Sequence, residues 1–374
     1  MNERWIAGRM GRIEASGIRK AFEMARAMKD PINLSIGMPN FDADDSVKEA
    51  AYEAIASGRN QYSLSQGVPE LREAIRRSWV EPYGHADRDV MVTSGTAGAL
   101  LLAMIAVVNP GDEVIVFDPY FVMYGNQIAM AGGETVLIDT YPDFRIDVAR
   151  VAAAMTPRTK AVIVNSPNNP SGVVASAEEL KALALLCRER GVLLISDEVY
   201  RAFCFDAAFH SPAEWNEDVL VVDGFSKSYG MTGWRLGFAH GPSRLIQEMI
   251  KIQQFTFVCA PTPLQHAVAR AMADGTVDLG DQVEAYRRKR DLVVAALGGL
   301  YELPRPEGAF YAFPAAPWGT ASEFAAEAVR RELLIIPGNV FSRRDTHFRV
   351  SYAVADDVLK RGLDVLRDLA ERRA

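Results

Sequence analysis

"DVMVTSGTAGALLLAMIAVVNPGDEVIVFD", residues 89–118, holds one full turn of the pattern that sets the fold. DVMVT is a short apolar run of strand length, rich in β-branched residues. GTAGALLLAMIAVV follows as a helix of small and apolar residues, closed by Asn109, Pro110 and Gly111. EVIVFD is then a second, continuously apolar strand. A strand apolar on both faces must be covered on both faces, which is the condition of a parallel sheet joined by crossover helices.

The same alternation extends outward. A helical stretch near 122–131 leads to TVLID, and AVIVN (161–165) and VLLIS (192–196) flank a helix at 176–190. VLVVDGF (219–225) and LGFAH (236–240) complete the strands, while helices at 46–57 and 69–80 lie upstream, the second opening with Pro69. The prediction is an α/β fold with a large, mostly parallel sheet. In such sheets ligands sit beyond the carboxyl ends of the strands, in the turns that follow. After residue 275 the pattern changes to a long charged helix (GDQVEAYRRKRDLVVAALGGL), GAFYAF, a helix at 321–332, HFRVSY and a final amphipathic helix. That reads as a smaller α+β domain, joined by the N-terminal arm, which has no strand to add to the large sheet. The expected division is 36–275 for the large domain and 1–35 with 276–374 for the small one, with a broad interface and a cleft between them.

Composition narrows the function classes. A chain of 374 residues exceeds what one core usually organises, and 49% hydrophobic with 24% charged residues is the balance of a soluble globular protein. A net charge of −7 argues against nucleic acid or an anionic membrane as partner. The charged N-terminus has no apolar core of a secretory signal, and no apolar run reaches bilayer length. Cys187, Cys204 and Cys259 are too few and too scattered for a disulfide framework or zinc site, so no metal is expected and a reducing cytoplasm is.

The residues just past the strands carry the chemistry. SGTAG (94–98) opens a helix whose Gly95, Thr96 and Ala97 N–H groups could meet a phosphate, although small residues also ease helix packing. PYFVMY places Phe121 where a ring could stack on a flat ligand or simply join the core. SPNNPSG (166–172) is too polar for a core turn and offers Asn169. DEVY supplies Asp197 and Tyr200, the first also suited to capping a helix. Lys227 follows VLVVDGF in FSKSYGMTGWRLGF (225–238), and Arg235 starts the next strand. An aromatic face, an acid, a phenol, an amide, an amine and a phosphate cradle together match the needs of pyridoxal 5'-phosphate.

At this point the chain resembles the fold-type I aminotransferases of class I/II, the aspartate aminotransferase superfamily. The resemblance runs through NLSIGMPNFD (33–42), NQYSLSQGVPELREAI, NSPNNPSG, SDEVY, SKSYGMTGWRLG, PEGAFYAF and FRVSYA (348–353). It implies that Lys227 bonds the cofactor's aldehyde and later moves the proton from the substrate α-carbon. It implies Asp197 at the pyridine nitrogen, Tyr200 and Asn169 at the 3'-oxygen, and Phe121 on the ring face. Gly95, Thr96, Ala97, Ser226 and Arg235 would hold the phosphate, helped by Tyr62 from a partner subunit. Arg349 would grip the substrate α-carboxylate, with Gly37 leaving it room; on the residues alone, an ordinary strand-surface arginine is the better reading. The sequence departs from some relatives at Gly224, where they carry a hydroxyl, and at Phe121, where tryptophan is common.

The expected protein is thus a homodimeric, cytoplasmic, pyridoxal-phosphate-dependent aminotransferase with shared active sites, acting on an amino acid and a 2-oxo acid by ping-pong half-reactions. A carbon–sulfur β-lyase would need the same cofactor residues and is the alternative. A transcription regulator would need a DNA-binding head ahead of the arm, whereas this chain starts with the arm. Side-chain selection is expected from Ser16, Gly17, Ile18 and Arg19 of the arm and from residues 62–65.

Overall fold

The computed structural model describes residues 5–13, 17 and 28–371; Ser16, Ile18 and Arg19 lie outside them. The central sheet has seven strands: β2 (Arg88–Thr93), β3 (Glu113–Asp118), β4 (Glu134–Asp139), β5 (Thr159–Asn165), β6 (Leu193–Asp197), β7 (Leu220–Gly224) and β8 (Gly237–Pro242). Their spatial order is β2-β8-β7-β6-β5-β3-β4. All neighbours pair in parallel except β8, which runs antiparallel to both β2 and β7. The expected parallel sheet is therefore present, with one reversed strand that returns the chain directly after β7.

Both faces are covered, as the apolar runs require. Val114 and Val116 of β3 with Ile163 and Ile195 face the helix Gly95–Val107, while Ile115, Val162, Val164 and Leu194 face the helix Ala177–Arg190. Each such side chain is worth about 1.5–3 kcal/mol relative to exposure, which is why the apolar strand runs predict their places so well. The helix from Pro69 runs as α to Ile75 and continues as a wider π-helical turn through Val80, so the expected 69–80 is helical throughout. Arg72 and Arg76 from this segment both reach Asp89 in β2, tying it to the sheet edge.

A second sheet lies in the C-terminal part. Its order is β11 (Ile336–Pro337), β12 (Phe348–Ser351) and β9 (Tyr311–Ala312), antiparallel throughout. The N-terminal strand β1 (Ile32–Asn33) pairs with β10 (Leu333–Leu334), not with the large sheet. Ile32 and Leu34 join the core formed by Tyr286, Phe310, Phe324, Phe348 and the helix Asp356–Glu371. The backbone after β1 then leaves this core and reaches the turn after β7, where the Gly37 carbonyl accepts from Lys227. That passage brings residues far apart in sequence together.

Candidate active site

Asp197 is the last residue of β6, and its side chain is buried. Tyr124 donates its phenol to Oδ2 at 2.6 Å, and the Val199 amide donates to Oδ1 at 3.4 Å. Burial pushes this carboxyl up to about 6, opposed by the Tyr124 hydrogen bond, the Val199 amide and the charge of Lys227. A turn, not a helix, follows the strand, so the capping role does not arise. Asn165, at the end of β5, donates from Nδ2 to the Asp197 carbonyl and accepts the Asn169 amide at 2.8 Å. This locks the SPNNPSG turn against the acid's strand.

Lys227 sits in a single helical turn, Phe225–Ser228, directly after β7. It is half-buried, and its Nζ donates to the Gly37 carbonyl at 2.6 Å. The amine lies 5.8 Å from the Tyr200 ring centre and 6.0 Å from that of Phe310. Burial, then the charges of Arg349 and Arg235, lowers its pKa to about 8, with Asp197 pulling the other way. A lysine so placed changes protonation state close to neutrality, which an ordinary surface lysine does not.

The far end of the site is built around three glycines. Gly95, with φ +68°, starts its helix without any side-chain cap from Ser94. A Cβ there would lie 2.5 Å from Arg235 Nη2, so the glycine lets the guanidinium reach the helix start. Arg235 does not begin a strand as expected; it holds φ +57°, two residues before β8 opens at Gly237, and gives Nη1 to the Thr232 carbonyl at 2.9 Å. A Cβ on Gly237 would stand 2.7 Å from the Gly95 carbonyl carbon and 2.8 Å from the Thr96 nitrogen. One on Gly224 would stand 3.0 Å from Gly237 Cα and 3.3 Å from Thr96 Cγ2. The hydroxyl missing at 224 is thus replaced by close approach of helix and sheet. Ser226 is buried beside this junction, and the Ala97 carbonyl accepts from Gln127 Nε2 at 2.9 Å.

Arg349, in β12, is fully buried, not a strand-surface arginine. Nη1 donates to Asn169 Oδ1 at 2.9 Å and Nη2 to the Ser35 carbonyl at 2.7 Å, while Nε has no partner among the described residues. Its guanidinium carbon lies 4.6 Å from the Tyr311 ring centre and 4.7 Å from that of Phe341. Burial pulls its pKa below the usual arginine value, and the nearby phenols oppose this. Phe121 is half-buried and meets Tyr124 edge-on at 5.8 Å. Tyr62 stands apart: it is 83% exposed and meets none of these groups within one chain.

Two residues went unrecognised in the sequence. Tyr124 lies in the first turn of the helix Met123–Ala131, three positions beyond Phe121, which it meets edge-on. Tyr311 pairs with Ser351 across β9 and β12, which sets it diagonally against Arg349 on the same face. It is fully buried, and its hydroxyl is 2.7 Å from that of Tyr200. Among the described residues no group of three or more histidine, cysteine, aspartate or glutamate side chains is gathered to hold a metal ion. None of the described helices is long and apolar enough to cross a membrane.

Known proteins resemble this chain along nearly its whole length. The family described as aminotransferase class I and II matches residues 29–366. The probable aspartate aminotransferase of Methanocaldococcus jannaschii is 34% identical, covering 98% of this chain and 100% of its own. The aspartate/prephenate aminotransferase of Thermus thermophilus is 38% identical over 92% of each. The solved aspartate aminotransferase of Thermus thermophilus with maleate superposes with a TM-score of 0.93 at 35% identity, covering 97% of this chain and 99% of that one. Each of these relatives is an aminotransferase, which favours transamination over the lyase alternative. The chain therefore belongs to the class I and II aminotransferases, pyridoxal-5'-phosphate-dependent enzymes of fold type I that exchange amino groups between amino acids and 2-oxo acids.

Proposed function

We propose that Lys227, Asp197 and Arg349 carry the amino-group transfer, and that the remaining site residues hold the cofactor. The observation that supports this most directly is the gathering of Lys227 with the buried Asp197 and Arg349: the amine lies 5.8 Å from the Tyr200 ring centre, and Tyr311 links Tyr200 to the Arg349 guanidinium. The donor set fits pyridoxal 5'-phosphate. An uncapped helix start facing Arg235 suits a phosphate, and a buried carboxylate suits a protonated ring nitrogen. When bound, the cofactor supplies an electron sink and a carbonyl to carry the amino group.

Lys227 takes and releases a proton at Nζ near neutral pH, as a base at the substrate α-carbon must. Asp197, held as an anion by Tyr124, is the counter-ion of the ring nitrogen. Tyr200 and Asn169 serve the 3'-oxygen, Phe121 covers the ring, and the Gly95, Thr96 and Ala97 amides with Ser226 and Arg235 hold the phosphate. Arg349 offers a carboxylate a fork whose direction is fixed by two flanking rings. Gly37 leaves room above it. Because the α-carboxylate is common to every amino acid, Arg349 and Gly37 bind the part of the substrate both half-reactions share. The first 2-oxo acid leaves before the second enters the same place.

The same reading places residues 36–275 in a cofactor domain and residues 1–35 with 276–374 in a second domain, supported by the separate sheets and the pairing of β1 with β10. It also makes the working form a homodimer. Tyr62, Leu64, Phe255 and Phe257 are all exposed, and a methyl on Gly98 would touch the Phe257 ring, so this apolar patch adjoins the phosphate helix. The three free cysteines fit a cytoplasmic setting. The deciding experiment loads the protein with cofactor and adds single amino acids, beginning with aspartate and the aromatic ones for which relatives are named. One equivalent of 2-oxo acid per cofactor, with loss of the resting absorbance, is the expected result. Continuous release of pyruvate and ammonia without a 2-oxo acid acceptor would establish lyase chemistry instead.

A further inference from the structure

We infer that Tyr311 is a positioning residue that joins the cofactor's 3'-oxygen contact to the substrate carboxylate contact, acting on Tyr200 through its hydroxyl and on Arg349 through its ring. The inference rests on the roles proposed above for Tyr200 and Arg349. Tyr311 is fully buried, its Oη lies 2.7 Å from Tyr200 Oη, and its ring centre lies 4.6 Å from the Arg349 guanidinium carbon. One side chain thus touches both halves of the site.

The direction of the hydroxyl pair follows from proton counting. A phenol has one proton to give and lone pairs to accept. In the structure either oxygen can be the donor. With Tyr200 donating its hydrogen bond to the ring oxygen, the bond between the phenols would have to be donated by Tyr311. A phenol that accepts a hydrogen bond becomes a stronger donor, so Tyr311 strengthens the bond from Tyr200 to the cofactor. Burial holds both phenols neutral, keeping both protons available. The ring acts separately. It shares the guanidinium of Arg349 with Phe341 and so fixes the plane of the fork. Gly37 completes the arrangement, because a Cβ there would overlap the Tyr311 hydroxyl. The glycine therefore leaves space for this phenol as well as for the substrate.

Two variants separate the two contacts. Tyr311→Phe removes the hydroxyl and keeps the ring, and Tyr311→Leu removes both. In cofactor-loaded protein without substrate, Tyr311→Phe should raise the pH midpoint of the cofactor's visible absorbance change by roughly half a unit. Its KM for amino acids should stay within about twofold of the parent. Tyr311→Leu should show the same spectroscopic shift and, in addition, a KM raised by about tenfold or more. A merely structural tyrosine would lower the melting temperature without moving the midpoint. Tyr200→Phe serves as the reference. If it moves the midpoint and Tyr311→Phe does not, the inference about Tyr311 is overturned while the role of Tyr200 stands. If neither moves it, Tyr200 does not serve the 3'-oxygen and both readings fall together. A Tyr311→Phe protein whose KM rises as far as that of Tyr311→Leu would overturn the division between hydroxyl and ring.

Discussion

Lys227 and Asp197 lie thirty residues apart in sequence, and each has its proton affinity moved by burial toward the other's. The amine is down to about 8 and the carboxyl up to about 6, so both stand near the pH at which the enzyme must exchange protons. For the lysine the sign is simple. A base with a lowered pKa is neutral, and nucleophilic, above about 8 where an ordinary lysine is still charged. Cofactor-free protein treated with an amine-modifying reagent at increasing pH should therefore show one fast-reacting lysine with a midpoint near 8, absent in Lys227→Ala. For the carboxyl the controlling contact is the Tyr124 phenol at 2.6 Å. Tyr124→Phe removes a hydrogen bond to a charged group, worth about 1.5–3 kcal/mol, and leaves burial unopposed on that side. The Asp197 carboxyl should then hold its proton to higher pH. The acid limb of the kcat/KM profile should move upward by about a unit or more, and cofactor affinity should fall by about tenfold.

At the level of elements, the phosphate cradle depends on how closely the start of the helix Gly95–Val107 settles on β7 and β8. Gly224 and Gly237 are paired across these strands, and both lack the side chain that would hold the helix away. The distances rank the two positions. A methyl on Gly237 meets backbone at 2.7 Å, which forces movement, whereas one on Gly224 meets its nearest neighbour at 3.0 Å. Overpacking of this kind costs about 1–3 kcal/mol and here displaces the amides proposed to face the phosphate. Gly237→Ala should weaken cofactor binding by about tenfold to a hundredfold, and Gly224→Ala by less, when measured as the dissociation constant of pyridoxal 5'-phosphate. Equal losses at both positions would show that the helix start is not held by this contact.

For the whole molecule the outlying residue is Tyr62, 83% exposed and apart from the cleft of its own chain. In the proposed homodimer a shared active site would give it a role, with its phenol at the phosphate site of the second subunit. Tyr62→Asp would set a negative charge against that phosphate and should inactivate the site. Unfolding and refolding Tyr62→Asp together with Lys227→Ala tests the arrangement. Random pairing makes half the dimers mixed, and each mixed dimer has one site with both defects and one with neither. About a quarter of all sites should be native, and activity should return to that level. If Tyr62 serves its own chain, every site carries one defect and the refolded dimers stay inactive.

The sequence by itself determined the layered sheet, because continuous apolar strands cannot exist uncovered. EVIVFD was read at its full length, Glu113–Asp118, and AVIVN, VLLIS and VLVVDGF fall on β5, β6 and β7. It also supplied the candidate chemical groups, since a lysine, an acid and an arginine in ordered motifs are local features of the chain. Tyr124 and Tyr311 were not legible in this way. Each is an aromatic residue in an apolar context, and nothing local separates a core tyrosine from one whose hydroxyl meets Asp197 or Tyr200. The choice between a surface and a buried Arg349 was open for the same reason. It was decided by Ser35, Asn169, Tyr311 and Phe341, which come from four distant stretches. The reversed β8 and the left-handed Arg235 depend on where the chain must go after β7, and strand periodicity carries no direction. Periodicity and residue type act over a few neighbours and fix the elements. Proton affinity and contact distance depend on everything packed around a group, so only the assembled tertiary structure could set them.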